Sequence, residues 1–212
     1  DCLTGYVGFL RANAVVALIN DSIPESTLYD LVMNFKPSFI YKPKKPSQNE
    51  SNGKKEFEFG KYILHKTNLE IDYDINEDLS LLLMTSGTTG SPEFVRLSHN
   101  NIFSNTKAIC KYLKISDKDV AITTLPMSYS YGISIINTHL FSGASLILTD
   151  SSIVEKKFWR LLSNYRATNF SGVPYTFELL KKLKFENVSI PYIKYITQAG
   201  GKLSQGLLDY FS

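Results

Sequence analysis

Leu79-Ser80-Leu81-Leu82-Leu83-Met84-Thr85-Ser86-Gly87-Thr88-Thr89-Gly90 is the stretch on which the reading of this chain turns. Leu79 to Met84 is a short, nearly continuous apolar run, the signature of a strand buried on both faces, as in a parallel sheet covered by helices. Two glycines and four hydroxyls follow at once. A glycine-bearing loop leaving a buried strand can turn sharply and aim successive backbone N–H groups at one point. The hydroxyls of Thr85, Ser86, Thr88 and Thr89 add further donors, so Thr85 to Gly90 is predicted to cradle the phosphates of a nucleotide. Taken alone, a Gly-Thr turn is more often a plain polar connection. The loop is not the Walker type, because Gly87 and Gly90 stand too close together and no Lys-Ser/Thr pair follows. It is not the dinucleotide fingerprint either, since GxGxxG is missing.

On both sides of this stretch, short apolar runs alternate with amphipathic segments of helical period. That pattern predicts an α/β fold, a mostly parallel sheet covered by helices. Leu10 to Ile19 reads as helix into strand. Leu28, Leu31, Val32 and Phe35 recur at helical spacing, and Pro37 ends that helix before the strand Ser38 to Tyr41. Residues 42–55 lack apolar side chains and carry Pro, Ser, Asn and Gly, which predicts an exposed, flexible loop. Phe57, Phe59, Tyr62 and Leu64 flank Gly60 as a small β-hairpin excursion.

The second half is more regular. Ile102, Thr106, Ile109 and Leu113 give one face of a helix from Ser98 to Leu113, with Ser98 as its N-cap. Strand Asp119 to Leu125, helix Tyr131 to Ser142 and strand Ser145 to Thr149 follow. Ser152 and Glu155 form a capping box opening a helix that carries Phe158, Leu161, Leu162 and Tyr165. Next come strand Thr168 to Val173, a helix with Pro174 in its first turn, and strand Tyr192 to Thr197. The alternation stops at Ser212 within a helical pattern, so residues 1–212 read as an incomplete domain of a longer protein.

Composition narrows the function classes. The 43% hydrophobic fraction suits a globular domain with a real core. The net charge is +3, yet Lys42, Lys44, Lys45, Lys54 and Lys55 against Glu50 place five minus one, or +4, in one loop, leaving −1 elsewhere. A basic balance so localised argues against nucleic acid as a partner. Cys2 and Cys110 have no CxxC or Cys/His spacing, so they read as reduced thiols in a cytoplasmic protein, and no metal site is expected in this chain. The most apolar stretch, Gly132 to Leu148, is broken by Ser134, Asn137, His139 and Ser142, so no membrane span is expected. His65, His99 and His139 are scattered and lack a paired carboxylate or cysteine, and Trp159 reads as packing.

Ser86-Gly87-Thr88-Thr89-Gly90-Ser91-Pro92 resembles the phosphate-binding signature of the adenylate-forming superfamily, Ser/Thr-Gly-Ser/Thr-Thr-Gly-x-Pro-Lys-Gly. That superfamily includes acyl-CoA synthetases, nonribosomal-peptide adenylation domains and firefly luciferase. Val95-Arg96-Leu97-Ser98-His99 resembles the family's continuation into a helix. Leu125-Pro126-Met127-Ser128-Tyr129-Ser130-Tyr131-Gly132 is similar to the family segment Leu-Pro-x-x-His-x-x-Gly, whose aromatic position lies near the carboxylate substrate. Phe170-Ser171-Gly172-Val173-Pro174 resembles the strand and turn lining the acyl pocket, and Gln198-Ala199-Gly200-Gly201 the loop beside adenine. The resemblance covers nearly the whole chain.

It implies the large N-terminal domain of that fold, ATP and Mg2+ as cofactors, and activation of a carboxylic acid to an acyl-adenylate. Transfer to a thiol, on coenzyme A or an acyl-carrier protein, is the implied second step. By the same resemblance Tyr129, Gly172, Ala199, Gly200 and Gly201 border the substrate and adenine pocket. The main catalytic residues, the Tyr-Gly-x-Thr-Glu segment and a C-terminal lysine among them, are expected beyond Ser212, so residues 1–212 alone are expected to be inactive. Two positions depart from the family. Its loop lysine falls on Glu93, a carboxylate that repels a triphosphate, and its histidine falls on Tyr129, which does not titrate in the same range. Arg96 reads as a solvated surface arginine. The alternative implied by Glu93 is a non-catalytic nucleotide- or acyl-binding module.

Overall fold

The computed structural model describes residues 1–44, 54–85 and 93–211. They divide into two compact units, Asp1–His99 and Asn100–Ser212.

The first unit opens with helix α1 (Cys2–Arg11), strand β1 (Val16–Leu18) and helix α2 (Glu25–Phe35). Helix α2 runs as its periodicity predicts, buries Leu31, and closes on Lys36 in the left-handed conformation, one residue before Pro37. Strands β2 (Phe39–Pro43), β3 (Lys54–Phe59) and β4 (Tyr62–Lys66) form an antiparallel sheet in the order β2-β4-β3. The hairpin around Gly60 is therefore present, with Gly60 at φ +55°, and it is enlarged by a third strand. Lys42, Pro43, Lys54 and Lys55 belong to β2 and β3, so strand structure reaches into both ends of the stretch 42–55 read as a loop. Its centre, 45–53, lies outside the described residues.

Strand β5 (Leu79–Thr85) is central in a three-stranded sheet, β1-β5-β6, where β6 spans Glu93–Ser98. Leu81 is fully buried and Leu83 nearly so, as an apolar run with neighbours on both edges requires. Strand β1 joins β5 in parallel but β6 joins it antiparallel. Residues 93–98 are strand and run directly into the helix that begins at His99, the continuation expected at Val95–His99. Val95 pairs with Leu83 and Leu97 with Leu81, and strand suits this apolar alternation.

The second unit begins with helix α3 (His99–Leu113), on which Thr106 is buried and Ile102, Ile109 and Leu113 are half-buried on one face. Then strand and helix alternate: β7 (Val120–Thr123), α4 (Ser130–Phe141), β8 (Ser145–Leu148), α5 (Lys156–Asn164), β9 (Asn169–Gly172), α6 (Pro174–Lys182), β10 (Tyr195–Gln198) and α7 (Gln205–Phe211). The four strands form one all-parallel sheet in the order β10-β9-β7-β8. Ile122, Ile153, Phe158, Leu162, Ala167, Phe170 and Leu180 make its core, and each large aliphatic among them contributes about 1.5–3 kcal/mol by leaving water. Trp159 is packing, as expected: its Nε1 donates to the Ile153 carbonyl at 2.7 Å and its ring meets Phe158 edge-on.

The capping box behaves differently from its prediction. Glu155 accepts the Ser152 N–H at 2.7 Å, but this closes a turn, and α5 starts at Lys156 with Glu155 as its N-cap. The α/β class stands, the expected hairpin belongs to the antiparallel sheet, and the mixed pairing of β6 with β5 is the departure from a mostly parallel sheet.

Candidate functional site

In the second unit the chain leaves β7 through α4 to β8 on one side, then crosses through α5 to β9 on the other, with β10 further out. The connections that leave neighbouring strands β7 and β9, through α4 to β8 and through α6 to β10, depart in opposite directions. In a parallel sheet such a reversal opens a crevice outside the carboxyl ends of the strands, where ligands bind. The turn after β7 carries Tyr129, β9 ends on Gly172 with Val173 after it, and the loop after β10 carries Ala199-Gly200-Gly201.

The turn after β7 is held by its own backbone. Leu125 N–H donates to Thr123 Oγ1 at 3.1 Å and Tyr129 N–H to the Pro126 carbonyl at 3.1 Å. A Cβ at Gly132 would lie 2.1 Å from that same carbonyl oxygen, so this segment cannot close with any larger residue there. It delivers Tyr129 as the N-cap residue of α4. The Tyr129 hydroxyl reaches the loop after β10, where Gly200 sits at φ +91° and a Cβ would lie 2.4 Å from Tyr129 Oη. Gly201 rests against Pro174, Ala199 N–H donates to the Gly172 carbonyl at 3.4 Å, and Gly172 makes room for Thr176. All five residues expected beside the adenine and acyl groups therefore gather at the carboxyl ends of β9 and β10 and the turn after β7.

Sequence reading missed a hydroxyl cluster beside them. Tyr131 Oη donates to Thr197 Oγ1 at 2.7 Å, and Ser171 Oγ lies 2.7 Å from the same oxygen. Burial raises the Tyr131 phenol above its ordinary value, against the lowering effect of bonds to Thr197 and Ser171. The signal was there in principle: Ser171 and Thr197 each stand third in a strand, and they pair in register.

A second polar group lies at the opposite, amino ends of the strands. Buried Asp119 accepts from Ser116 N–H and Oγ at 2.8 and 2.9 Å, from Thr168 Oγ1 at 3.1 Å and from Lys194 Nζ at 2.8 Å. Burial alone would raise its carboxyl, but these four donors outweigh it and hold it at about 2. Thr168 Oγ1 also accepts from Asn169 Nδ2, which reaches buried His139 Nε2 at 3.2 Å. His139 Nδ1 faces the Ile135 carbonyl at 2.8 Å, and burial lowers its pKa, so the ring is neutral with Nδ1 protonated. These groups tie β7, β9 and α4 together, a structural role.

In the first unit, Thr85 ends β5 opposite Glu93, the first residue of β6, and Thr85 Oγ1 donates to the Glu93 carbonyl at 3.3 Å. The predicted cradle residues Ser86, Gly87, Thr88, Thr89 and Gly90 lie outside the described residues. Glu93 and Arg96 are exposed. Three residues apart in a strand, they point to opposite faces. His99 bonds Ser80 and Asn13. Among the described residues there is no group of three or more His, Cys, Asp or Glu able to hold a metal, and no helix long and apolar enough to cross a membrane. Cys2 and Cys110 are both free thiols.

Comparison with known proteins adds three kinds of likeness. The chain is 32% identical over 137 residues to Acyl-CoA synthetase ALT10 of Alternaria alternata, 63% of this chain and 24% of that protein. It is 28% identical over 126 residues to a medium-chain fatty-acid–CoA ligase of Escherichia coli, 58% of this chain and 22% of that protein. The chain thus spans about a quarter of the curated relatives it matches. Among solved structures it shares its fold with VinN, at TM-score 0.72 and 18% identity over 99% of this chain and 55% of VinN. A variant of E. coli MenE with bound OSB-AMS gives TM-score 0.71 at 18% identity, covering 98% of this chain and 43% of MenE. The family model described as AMP-binding enzyme runs from residue 1 to residue 212, and since no part of the chain falls outside that match, the chain belongs to the AMP-binding enzyme family.

Proposed function

We propose that the full-length protein activates a carboxylic acid with ATP. A carboxylate oxygen attacks the α-phosphorus, the bond from that phosphorus to the oxygen bridging to the β-phosphate breaks, and acyl-adenylate and pyrophosphate result. A thiol, on coenzyme A or a carrier protein, then takes the acyl group and AMP leaves. Acyl-CoA synthetases and ligases among the relatives support this reading. The observation that carries it is the meeting of Tyr129 with Gly200 at the switch point of a parallel sheet.

In this reading the donor set of Thr85, Ser86, Thr88, Thr89 and the amides at Gly87 and Gly90 suits a polyanion, and it holds the β- and γ-phosphates. Ala199, Gly200 and Gly201 present backbone without bulk to the flat adenine, while Tyr129 and Gly172 border the acyl side. ATP supplies the leaving group. Mg2+ would offset phosphate charge, and no ligand to it is assigned in this chain. The protein's part is orientation and charge stabilisation. Residues 1–212 by themselves are proposed to be inactive, and the protein to work in the cytoplasm.

Acid-dependent exchange of labelled pyrophosphate into ATP by the full-length protein tests this. Exchange with at least one carboxylic acid, lost in Thr88→Ala/Thr89→Ala, is the expected result. Calorimetric ATP binding without exchange for any acid would instead support the second reading, a non-catalytic nucleotide- or acyl-binding module, which the Glu93 carboxylate at the foot of the loop favours.

A further inference from the structure

Tyr131, Thr197 and Ser171 form a compact set of hydroxyls drawn from three elements: the first turn of α4, β10 and β9. Tyr131 Oη donates to Thr197 Oγ1 at 2.7 Å, and Ser171 Oγ is 2.7 Å from Thr197 Oγ1. Three hydroxyls carry three protons, and these two bonds use two of them. One proton and several lone pairs are left. Such a cluster can both donate to and accept from a hydroxyl, a neutral group that is donor and acceptor at one atom.

The cluster is only partly closed off. Ser171 is buried, but Thr197 and Tyr131 are only half-buried, and Ser171 and Thr197 each lie one residue inside a strand end, Gly172 and Gln198. The buried carboxylate of this unit, Asp119, is at the opposite ends of the strands, bonded to Thr168 at the start of β9. A cationic donor would therefore find no counter-charge from it, whereas a neutral donor needs none.

We propose that the Tyr131–Thr197–Ser171 cluster recognises a hydroxyl group on the acid, so that the substrate class is a hydroxy-substituted carboxylic acid. This rests on the adenylation reading for its chemistry, but the recognition itself is a binding property. An unsubstituted acyl chain placed against the cluster would strip water from its hydroxyls without replacing those bonds.

The test uses the full-length protein and matched pairs of short carboxylic acids, each with and without one hydroxyl, in two assays: calorimetric binding in the presence of ATP, and pyrophosphate exchange. The expected result is binding of at least one hydroxy acid tighter than its unsubstituted partner by on the order of tenfold or more. In Thr197→Val, and separately in Ser171→Ala, that ratio falls toward one while the unsubstituted acid binds as well as before or better. Equal or tighter binding of every unsubstituted partner overturns the inference, as does a preference that survives both substitutions. The wild-type comparison needs no variant to fold. Failure of the adenylation reading looks different: exchange is absent for all acids whether or not the binding preference is seen.

Discussion

Tyr129 Oη stands where a side chain on Gly200 would have to begin. A Cβ there would lie 2.4 Å from the hydroxyl oxygen and 3.6 Å from Tyr129 Cζ, on a backbone at φ +91°. Two segments 71 positions apart thus meet through a residue that has no side chain and a phenol that needs the space.

Gly200→Ala is expected to destabilise the fold by about 1–3 kcal/mol, from backbone strain plus the hydroxyl clash. Adding Tyr129→Phe removes the atom at 2.4 Å and leaves only ordinary ring contact, so the double variant should recover the steric part and keep the backbone part. Urea denaturation of the four proteins in the cycle separates the two. Simple additivity would mean that the contact carries no energy.

Gly132→Ala should be worse than Gly200→Ala. The atom a Cβ would meet at 2.1 Å is the Pro126 carbonyl oxygen, which cannot rotate away as a side chain can. A loss of roughly 3 kcal/mol and displacement of Tyr129 are expected. A thermal melt within a degree or two of the parent would contradict the tightness of this turn.

Glu93→Lys is expected to tighten ATP binding on the order of tenfold, with Glu93→Gln intermediate, because a carboxylate at the foot of the loop is replaced by a cation. Exposed Glu93 is the residue opposite Thr85, so little in the fold opposes the change. Titration calorimetry at low and high salt checks it, and the gain should shrink as salt screens the charge.

Acid should act on the second unit in two windows. His139 is held neutral by burial, with its pKa lowered from 6.5. As pH falls below 6.5 the unfolded chain takes up a proton that the folded one refuses, and stability declines. Asp119 is shifted to about 2 from 3.8, so its contribution is complete above 3.8 and is lost as pH falls toward 2. The second loss should stay below about 2 kcal/mol, since Lys194 is half in solvent. Denaturant midpoints from pH 8 to pH 2 would show both declines, and the upper one should vanish in His139→Phe, a variant less stable at pH 8 because Asn169 loses its acceptor.

Much of this was legible residue by residue. Pro174 opens α6, Gly60 turns the hairpin, Pro37 follows the end of α2, and Leu81 lies in the core, because each expresses a local rule of backbone freedom or of period. Residues 93–98 form β6 before the chain enters α3, since Val95 and Leu97 find partners on β5, and that antiparallel pairing was not legible locally. Ser152 and Glu155 form the expected bond but in a turn, because the helix begins only at Lys156.

By itself the sequence determined the alternation of strand and helix, the glycine- and hydroxyl-rich stretch after Met84, and the family resemblance, all carried by residues close together along the chain. Only the tertiary structure decided the order β10-β9-β7-β8, the contact of Tyr129 with Gly200, and the bonds that join Tyr131, Thr197 and Ser171. Tyr131 and Thr197 are 66 positions apart. Bonds over such separations depend on which strands become neighbours in the sheet, and no local periodicity encodes that choice.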